Sequence, residues 1–133
     1  MTKYRIVFLL FLPYILDKFM DSSVQKPQLN KLLEIIKTRQ NLSEGNKLLI
    51  KKAYEFSERA HSGQKRKSGD PFFIHPYEAA LKLAEWNLDA PTIAAGLLHD
   101  VIEDTENSFE DIKNNFGEEI AFLVNGVTKL GKL

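Results

Sequence analysis

The sequence of 133 residues contains no cysteine, which excludes disulfide scaffolds, cysteine-ligated zinc sites and cysteine nucleophiles. It has no excess of either charge, with 18 basic and 18 acidic residues, and so lacks the composition of a general nucleic-acid binder. The apolar share of 44% and the charged share of 27% are ordinary for a globular protein. We therefore expect one folded domain with a real core, and the lack of cysteine fits a reducing compartment.

An apolar run occupies residues 6–16, behind Lys3 and Arg5. No small-x-small cleavage site follows it, Pro13 interrupts it, and its length in helical form spans only about half of a bilayer core. Three interpretations stay open: a weak membrane anchor, a helix packed on the domain, or translated upstream sequence. The ordinary polar segment that begins at Met20 favours the third. We expect residues 1–26 to be an extension and linker without a stable membrane span, and residues 1–19 to be dispensable for folding.

From Pro27 onward the apolar residues recur at helical spacing, and no strand-like alternation of useful length appears. Ser43 and Ser108 stand where helix N-caps are expected, and Pro91 stands near the start of another helix. Residues 93–102 are apolar nearly all round, which predicts a central buried helix. Residues 27–133 are therefore expected to form an all-α bundle of five or six helices.

The predicted central helix ends in four ionisable side chains within six residues, and these are His99, Asp100, Glu103 and Asp104. Such groups are costly at the end of a buried helix unless they are paired or bind a metal. Imidazole and carboxylate together are donors for Mn²⁺, Fe²⁺ or Zn²⁺. The alternative is a solvated helix end with an ordinary histidine. The small residues at 94–96 weaken that alternative, because they allow a neighbouring helix to approach closely.

Two further histidines stand at predicted helix ends, and we interpret them in different ways. His75 stands between an apolar loop and Pro76 at a predicted helix N-terminus, from which it can point into the bundle; taken alone, it is equally consistent with an N-cap or a core residue. His61 follows Ala60 near a helix end, where a histidine can complement the helix dipole, and we interpret it as structural.

Charge is unevenly distributed along the chain. Residues 43–69 hold seven basic and three acidic residues, a net charge of +4, whereas residues 99–119 hold eight acidic residues and one lysine, a net charge of −7. The two segments fit either a phosphate-plus-cation site or two solvated helix faces, and charge alone favours the second interpretation.

Four spaced motifs, at residues 60–76, 94–105, 116–117 and 125–130, resemble the hydrolase domain of the RelA/SpoT enzymes. These enzymes are HD-superfamily phosphohydrolases that act on the alarmones ppGpp and pppGpp. The resemblance covers roughly residues 42–133 and implies an HD-superfamily helical bundle. The metal ligands that it implies for one Mn²⁺ ion are His75, His99 and Asp100. The acid pair that it implies for orienting and deprotonating the attacking water is Glu103 and Asp104.

By the same resemblance, Arg66 stacks on guanine, and Lys67 and Ser68 line the nucleotide site. The implied reaction is Mn²⁺-dependent hydrolysis of (p)ppGpp at the 3′-pyrophosphate, giving GDP or GTP and pyrophosphate in the stringent response. The expected partner is this guanine nucleotide rather than a nucleic acid, and the expected location is the cytoplasm.

The sequence departs from the family at one metal ligand. The family supplies a further aspartate on a helix after the segment that matches residues 125–130, and the later aspartates here, Asp104 and Asp111, do not fit that place. We therefore expect a domain that is incomplete at its C-terminus, belongs to a longer bifunctional synthetase/hydrolase and is slow or inactive alone. Two alternatives remain: a non-catalytic truncated HD fragment with weak metal binding, or an HD phosphohydrolase for another nucleotide.

Overall fold

The computed structural model describes residues 26–130, and most of this stretch is helical. Its helices in chain order are α1 (Pro27–Arg39), α2 (Glu44–Ala60), α3 (Ile74–Glu85), α4 (Ala90–Leu98), α5 (Val101–Asp104), α6 (Phe109–Phe116) and α7 (Glu118–Leu130). The only β-type pairing within residues 26–130 is a single bridge between Lys65 and Pro71. The all-α prediction is confirmed, and the described residues form six helices and one additional helical turn.

Side-chain caps set the starts of three helices. The Ser43 hydroxyl accepts a hydrogen bond from the Asn46 amide at the start of α2. Ser108 and Asp111 form a reciprocal capping box at the start of α6. Both serine caps were predicted from the sequence, whereas the cap of α4 by Asp89 was not. Each cap satisfies backbone N–H groups that a helix start leaves without an internal partner.

The centre of the domain is α4, whose Ile93, Ala94, Leu97 and Leu98 are fully buried. It contacts α2, α3 and α7, as the apolar character of this segment predicts. Gly96 allows the close approach of α3, since a Cβ atom added there would lie 2.5 Å from Leu83 Cδ1.

The central helix is shorter than predicted, because α4 ends at Leu98 and His99 and Asp100 form a turn before α5. One short hydrogen bond and one longer contact are made by this turn. His99 Nδ1 lies 2.6 Å from the Gly96 carbonyl oxygen. The Thr128 hydroxyl of α7, which donates to the Val124 carbonyl over 2.9 Å, also lies 3.3 Å from the His99 carbonyl oxygen. The turn is therefore in contact with α7, which helical periodicity does not reveal.

By its internal contacts the described part of the chain divides between two units, with the boundary between Lys31 and Leu32. The predicted extension of residues 1–26, including the apolar run and the proposed start at Met20, falls almost wholly outside the described residues. The predicted boundary at residue 26 therefore stays a prediction. Within residues 26–130, no helix has the length and apolar content needed to cross a membrane.

Candidate metal centre and nucleotide cleft

Three side chains that could hold a metal ion converge at the turn between α4 and α5; they are those of His75, His99 and Asp100, and we refer to them as the metal cluster. Asp100 Oδ2 lies 3.0 Å from His99 Nε2 and 3.2 Å from His75 Nε2. His75 comes from the first turn of α3, so the cluster joins two helix ends that the chain separates by 24 residues. One ligand atom from each residue lies within 4.8 Å of the other two. The convergence expected from the sequence is therefore present.

The hydrogen bond of His99 to the main chain fixes its tautomer. A carbonyl oxygen only accepts, so His99 Nδ1 donates to Gly96 and the neutral ring keeps its lone pair on Nε2, facing Asp100. A metal-ligating histidine is commonly oriented in this way. Burial lowers the pKa of His99, but its bond to Asp100, its bond to Gly96 and nearby carboxylate charge outweigh burial and raise the pKa overall.

Asp100 has the opposite perturbation. Burial raises its pKa, but the hydrogen bond and charge of His99, together with the charges of His75 and His61, outweigh burial, so the pKa of Asp100 lies below its ordinary value. The Asp100 side chain is 15% exposed and that of His99 is 17% exposed. The pair is thus a partly buried carboxylate beside an imidazole. When no cation is bound, the raised pKa of His99 favours the protonated imidazole.

The donor set fits a divalent cation. Nitrogen and oxygen ligands lie about 2.0–2.2 Å from a zinc-sized ion, so neighbouring ligand atoms around it are roughly 3 Å apart. The separations of 3.0 and 3.2 Å at Asp100 are close to that value. Two imidazole nitrogens and one carboxylate oxygen suit first-row divalent metals.

The predicted acid pair lies on the short helix that follows the cluster. Glu103 and Asp104 are both exposed on α5, and the Asp104 amide donates to the Asp100 carbonyl over 2.9 Å. Burial and the negative charges of Asp100 and Glu103 raise the pKa of Asp104, although His61 and His99 oppose them. A carboxylate with a raised pKa is a better proton acceptor than an ordinary one.

The basic segment forms a tight loop that continues into α3. The Arg66 amide donates to the Asp70 carbonyl, and the Gly69 amide donates to the Arg66 carbonyl. The exposed side chains of Arg66, Lys67 and Ser68 line a cleft of about 550 Å³ together with Lys65 and Phe72. The Phe72 ring lies 6.3 Å from the His75 ring, so this cleft borders the metal cluster.

The structure does not bring every predicted site residue into one pocket. Glu103 and Asp104 line a separate polar cleft of about 590 Å³ with Arg59 and Gln64, whereas the basic side chains line their own. The metal cluster adjoins the basic cleft through Phe72 and the acidic turn through the hydrogen bond from Asp104 to Asp100. The cationic and acidic segments thus each lie next to this cluster.

Two residues near the site were not predicted from the sequence to act there. His61 is buried, and its charge affects the pKa values of both Asp100 and Asp104. Gln64 contacts the His61 ring and the main chain of Asp104. The sequence held one signal for this contact. His61 and Gln64 are three residues apart at a predicted helix end, and residues at that spacing meet when the helix ends in a tight turn.

Residues 53–133 match the HD domain family. A guanosine-3′,5′-bis(diphosphate) 3′-pyrophosphohydrolase of Aquifex aeolicus is 56% identical over 84 residues, which are 63% of this chain and 12% of that protein. A GTP pyrophosphokinase of Streptomyces coelicolor is 47% identical over 108 residues, or 80% of this chain and 13% of that protein. A probable guanosine-3′,5′-bis(diphosphate) 3′-pyrophosphohydrolase of Mycoplasma pneumoniae is 51% identical over 94 residues, which are 71% of this chain and 13% of that protein.

The chain thus spans about an eighth of the length of these relatives, and the match to the HD domain family includes the segment with the His-Asp cluster. The family match covers more than half of the chain, and the helical architecture agrees with it. The resemblance inferred from the motifs is confirmed: the chain belongs to the HD domain family and is homologous to the RelA/SpoT enzymes.

Proposed function

We propose that this chain carries the (p)ppGpp 3′-pyrophosphohydrolase site of a RelA/SpoT enzyme and uses one Mn²⁺ ion. The observation that carries the proposal is the His75–His99–Asp100 cluster, which adjoins both a cationic loop and an acidic helical turn. Relatives named as 3′-pyrophosphohydrolases support the substrate. Synthetase activity in a longer parent protein and a cytoplasmic location stay predictions.

The cluster residues would hold the ion through His75 Nε2, His99 Nε2 and Asp100 Oδ2. When bound, such an ion neutralises phosphate charge and lowers the pKa of a coordinated water. His99 is prepared for this role, because its Nδ1–H is already committed to the Gly96 carbonyl. Asp100 has a lowered pKa and stays ionised at neutral pH, so it offers a carboxylate without first losing a proton.

The acid pair would orient the attacking water and accept its proton. Asp104 is suited to accept it, since burial and neighbouring negative charge raise its pKa. Its main chain is tied to Asp100 by a backbone hydrogen bond, so the position of α5 follows that of the cluster. A positioned general base commonly contributes about 10²–10⁴-fold to a rate.

The basic loop would bind the nucleotide. Its cationic side chains attract a substrate with several phosphates, and the planar guanidinium of Arg66 can stack on a purine. Lys67 and Ser68 line the same cleft and would contact the nucleotide beside Arg66. The Phe72 ring of this cleft lies next to the His75 ring. The phosphates of a nucleotide bound in the cleft would therefore reach the metal cluster.

The test is a single-turnover assay of pyrophosphate release from ppGpp, with the 133-residue chain in excess and Mn²⁺ present. We expect slow, Mn²⁺-dependent release that falls at least 100-fold in Asp104→Ala. The matched control is Glu110→Ala, which removes an exposed carboxylate on α6 and should leave the rate unchanged. An Arg66→Ala variant should weaken nucleotide binding without loss of Mn²⁺ binding.

Calorimetric titration with Mn²⁺ separates the alternatives. A chain that fails to bind Mn²⁺ would be the non-catalytic fragment, and the proposal would be wrong. If the chain binds Mn²⁺ and hydrolyses GTP or another nucleotide but leaves ppGpp intact, the proposed metal site is right and the proposed substrate is wrong.

A further inference from the structure

His61 is a buried histidine to which the proposed reaction assigns no role. The residue is 2% exposed, and its ring stacks on Phe72 with centroids 4.8 Å apart and planes inclined by 28°. Its Nε2 atom is buried without a hydrogen-bond partner among residues 26–130. A buried polar atom without a partner costs free energy. A phenylalanine would provide the same stacking without that cost, so packing alone does not account for a histidine here.

The other ring nitrogen of His61 is connected to the acid pair through Gln64. His61 Nδ1 lies 3.0 Å from Gln64 Oε1, and Gln64 Nε2 donates to the main-chain carbonyl of Asp104. The Asp104 carbonyl can only accept, so the amide nitrogen of Gln64 must face it and the amide oxygen must face His61. His61 Nδ1 is therefore the donor in this contact, which fixes the neutral ring in the tautomer with its hydrogen on Nδ1.

This chain of hydrogen bonds connects three elements of the domain. His61 is the C-cap of α2, Gln64 begins the basic loop, and Asp104 ends α5. Gln64 is also held by its backbone, since its amide donates to the His61 carbonyl and its own carbonyl accepts from Phe72. The α5 turn is only four residues long, so an external hydrogen bond to its last residue restricts it more than it would restrict a long helix.

We propose that His61 is a positioning residue: as the Nδ1–H tautomer, it orients Gln64, which in turn holds the Glu103–Asp104 turn at the metal cluster. The proposal rests on the proposed function for its catalytic consequence, whereas the hydrogen-bond chain itself is a property of the metal-free protein. Loss of such outer hydrogen-bond partners typically reduces activity by about 10–100-fold. Because His61 does not line the nucleotide cleft, the loss should appear in kcat, with KM for ppGpp unchanged.

Three variants separate positioning from packing. His61→Phe keeps the stack on Phe72 and removes the donor. His61→Asn places an amide nitrogen near the position of Nδ1 and can still donate to Gln64. Gln64→Leu removes the hydrogen bonds to His61 and Asp104. Because Gln64 is half-buried, this change disturbs folding less than a change at the fully buried His61. We expect a 10–100-fold lower rate in the Phe and Leu variants and recovery to within a few-fold of wild type in the Asn variant.

Two measurements on the metal-free chain do not depend on the reaction. Long-range ¹⁵N–¹H NMR should show His61 with its hydrogen on Nδ1. Amide hydrogen exchange should show that Asp104 and Thr105, whose amides donate to the Asp100 and Val101 carbonyls, lose protection in His61→Phe and Gln64→Leu and regain it in His61→Asn. A hydrogen on Nε2, or unchanged protection in both disruptive variants, would overturn the inference.

The combined outcomes distinguish this inference from the proposed function. If the wild-type chain binds no Mn²⁺ and releases no pyrophosphate while the tautomer and the exchange pattern are as expected, the proposed function is wrong and the positioning of the turn stands. If the chain hydrolyses ppGpp, depends on Asp104 and keeps its full rate in His61→Phe, the proposed function stands and the positioning role is wrong.

Discussion

Replacing Gly96 by alanine tests the packing of α3 on the helix that leads into the metal cluster. The added Cβ would lie 2.5 Å from Leu83 Cδ1, whereas the next nearest atoms, from Ala80, would be at 3.8 and 3.9 Å. Carbon atoms in normal contact are about 3.5–4.0 Å apart, so only the Leu83 contact is too close. The substitution is therefore opposed by one side-chain end and by no backbone atom.

Two opposite contributions determine how much Gly96→Ala changes the free energy of unfolding. Alanine has about 1 kcal/mol better helix propensity than glycine, while overpacking a core typically costs about 1–3 kcal/mol. Leu83 lines a shallow apolar groove of about 320 Å³ beside Trp86 and Val127, into which its terminal methyl can rotate. We therefore expect Gly96→Ala to be destabilising by only about 0–1 kcal/mol. In a Leu83→Ala background the same change should stabilise by about 1 kcal/mol.

The assay is urea unfolding followed by far-UV circular dichroism for wild type, both single variants and the double variant. The coupling energy between the two positions should be about 1–2 kcal/mol. The matched control is Gly126→Ala on α7, where an added Cβ meets nothing within 4 Å, and its effect should be independent of Leu83. Equal destabilisation by Gly96→Ala in both backgrounds would refute the contact with Leu83 as the cause.

Three further predictions concern the acid pair, a helix cap and the pH dependence of the cluster. Asp104→Asn should leave the melting temperature of the metal-free chain unchanged or slightly higher at pH 7, because burial and repulsion from Asp100 and Glu103 disfavour the ionised form of Asp104 and raise its pKa; a clear fall would contradict this. Ser108→Ala should lower the free energy of unfolding by about 1 kcal/mol through loss of the α6 cap, measured by urea unfolding, and no loss would show that the capping box contributes nothing. The raised pKa of His99 gives stability that is complete below its ordinary pKa of 6.5 and is lost as pH rises through the folded value. The lowered pKa of Asp100 gives stability that is complete above its ordinary pKa of 3.8 and is lost as pH falls through the folded value. The pair should therefore stabilise the metal-free chain most between pH 3.8 and 6.5, and the wild-type advantage over Asp100→Asn in urea midpoint should be larger at pH 5 than at pH 8.

The helices were predictable because their signals are local. Ser43 and Ser108 act as caps through residues three positions away, and the apolar spacing from Pro27 onward repeats within each turn. The burial of residues 93–98 follows from a segment that has no polar face. Such features depend on neighbours in the chain, and a sequence contains them directly.

The end of the central helix was not predictable in the same way. Helical spacing predicted one continuous helix through residue 102, with His99 and Glu103 on one face. The structure ends α4 at Leu98, and the His99 carbonyl lies 3.3 Å from the hydroxyl of Thr128, 29 residues away. The turn that separates α4 from α5 therefore lies against α7, a neighbour that helical spacing does not reveal.

The sequence by itself determined the helical class, the family and the identity of the cluster residues, because spaced motifs and residue chemistry are properties of the chain. Only the tertiary structure decided that His75 comes within 3.2 Å of Asp100, since two helix ends must first pack together. It also decided the surroundings of His61, which the sequence presents as an ordinary residue at a helix end. Burial against Phe72 and the link through Gln64 to Asp104 arise from packing among a helix end, a loop and a turn, and no local pattern encodes that arrangement.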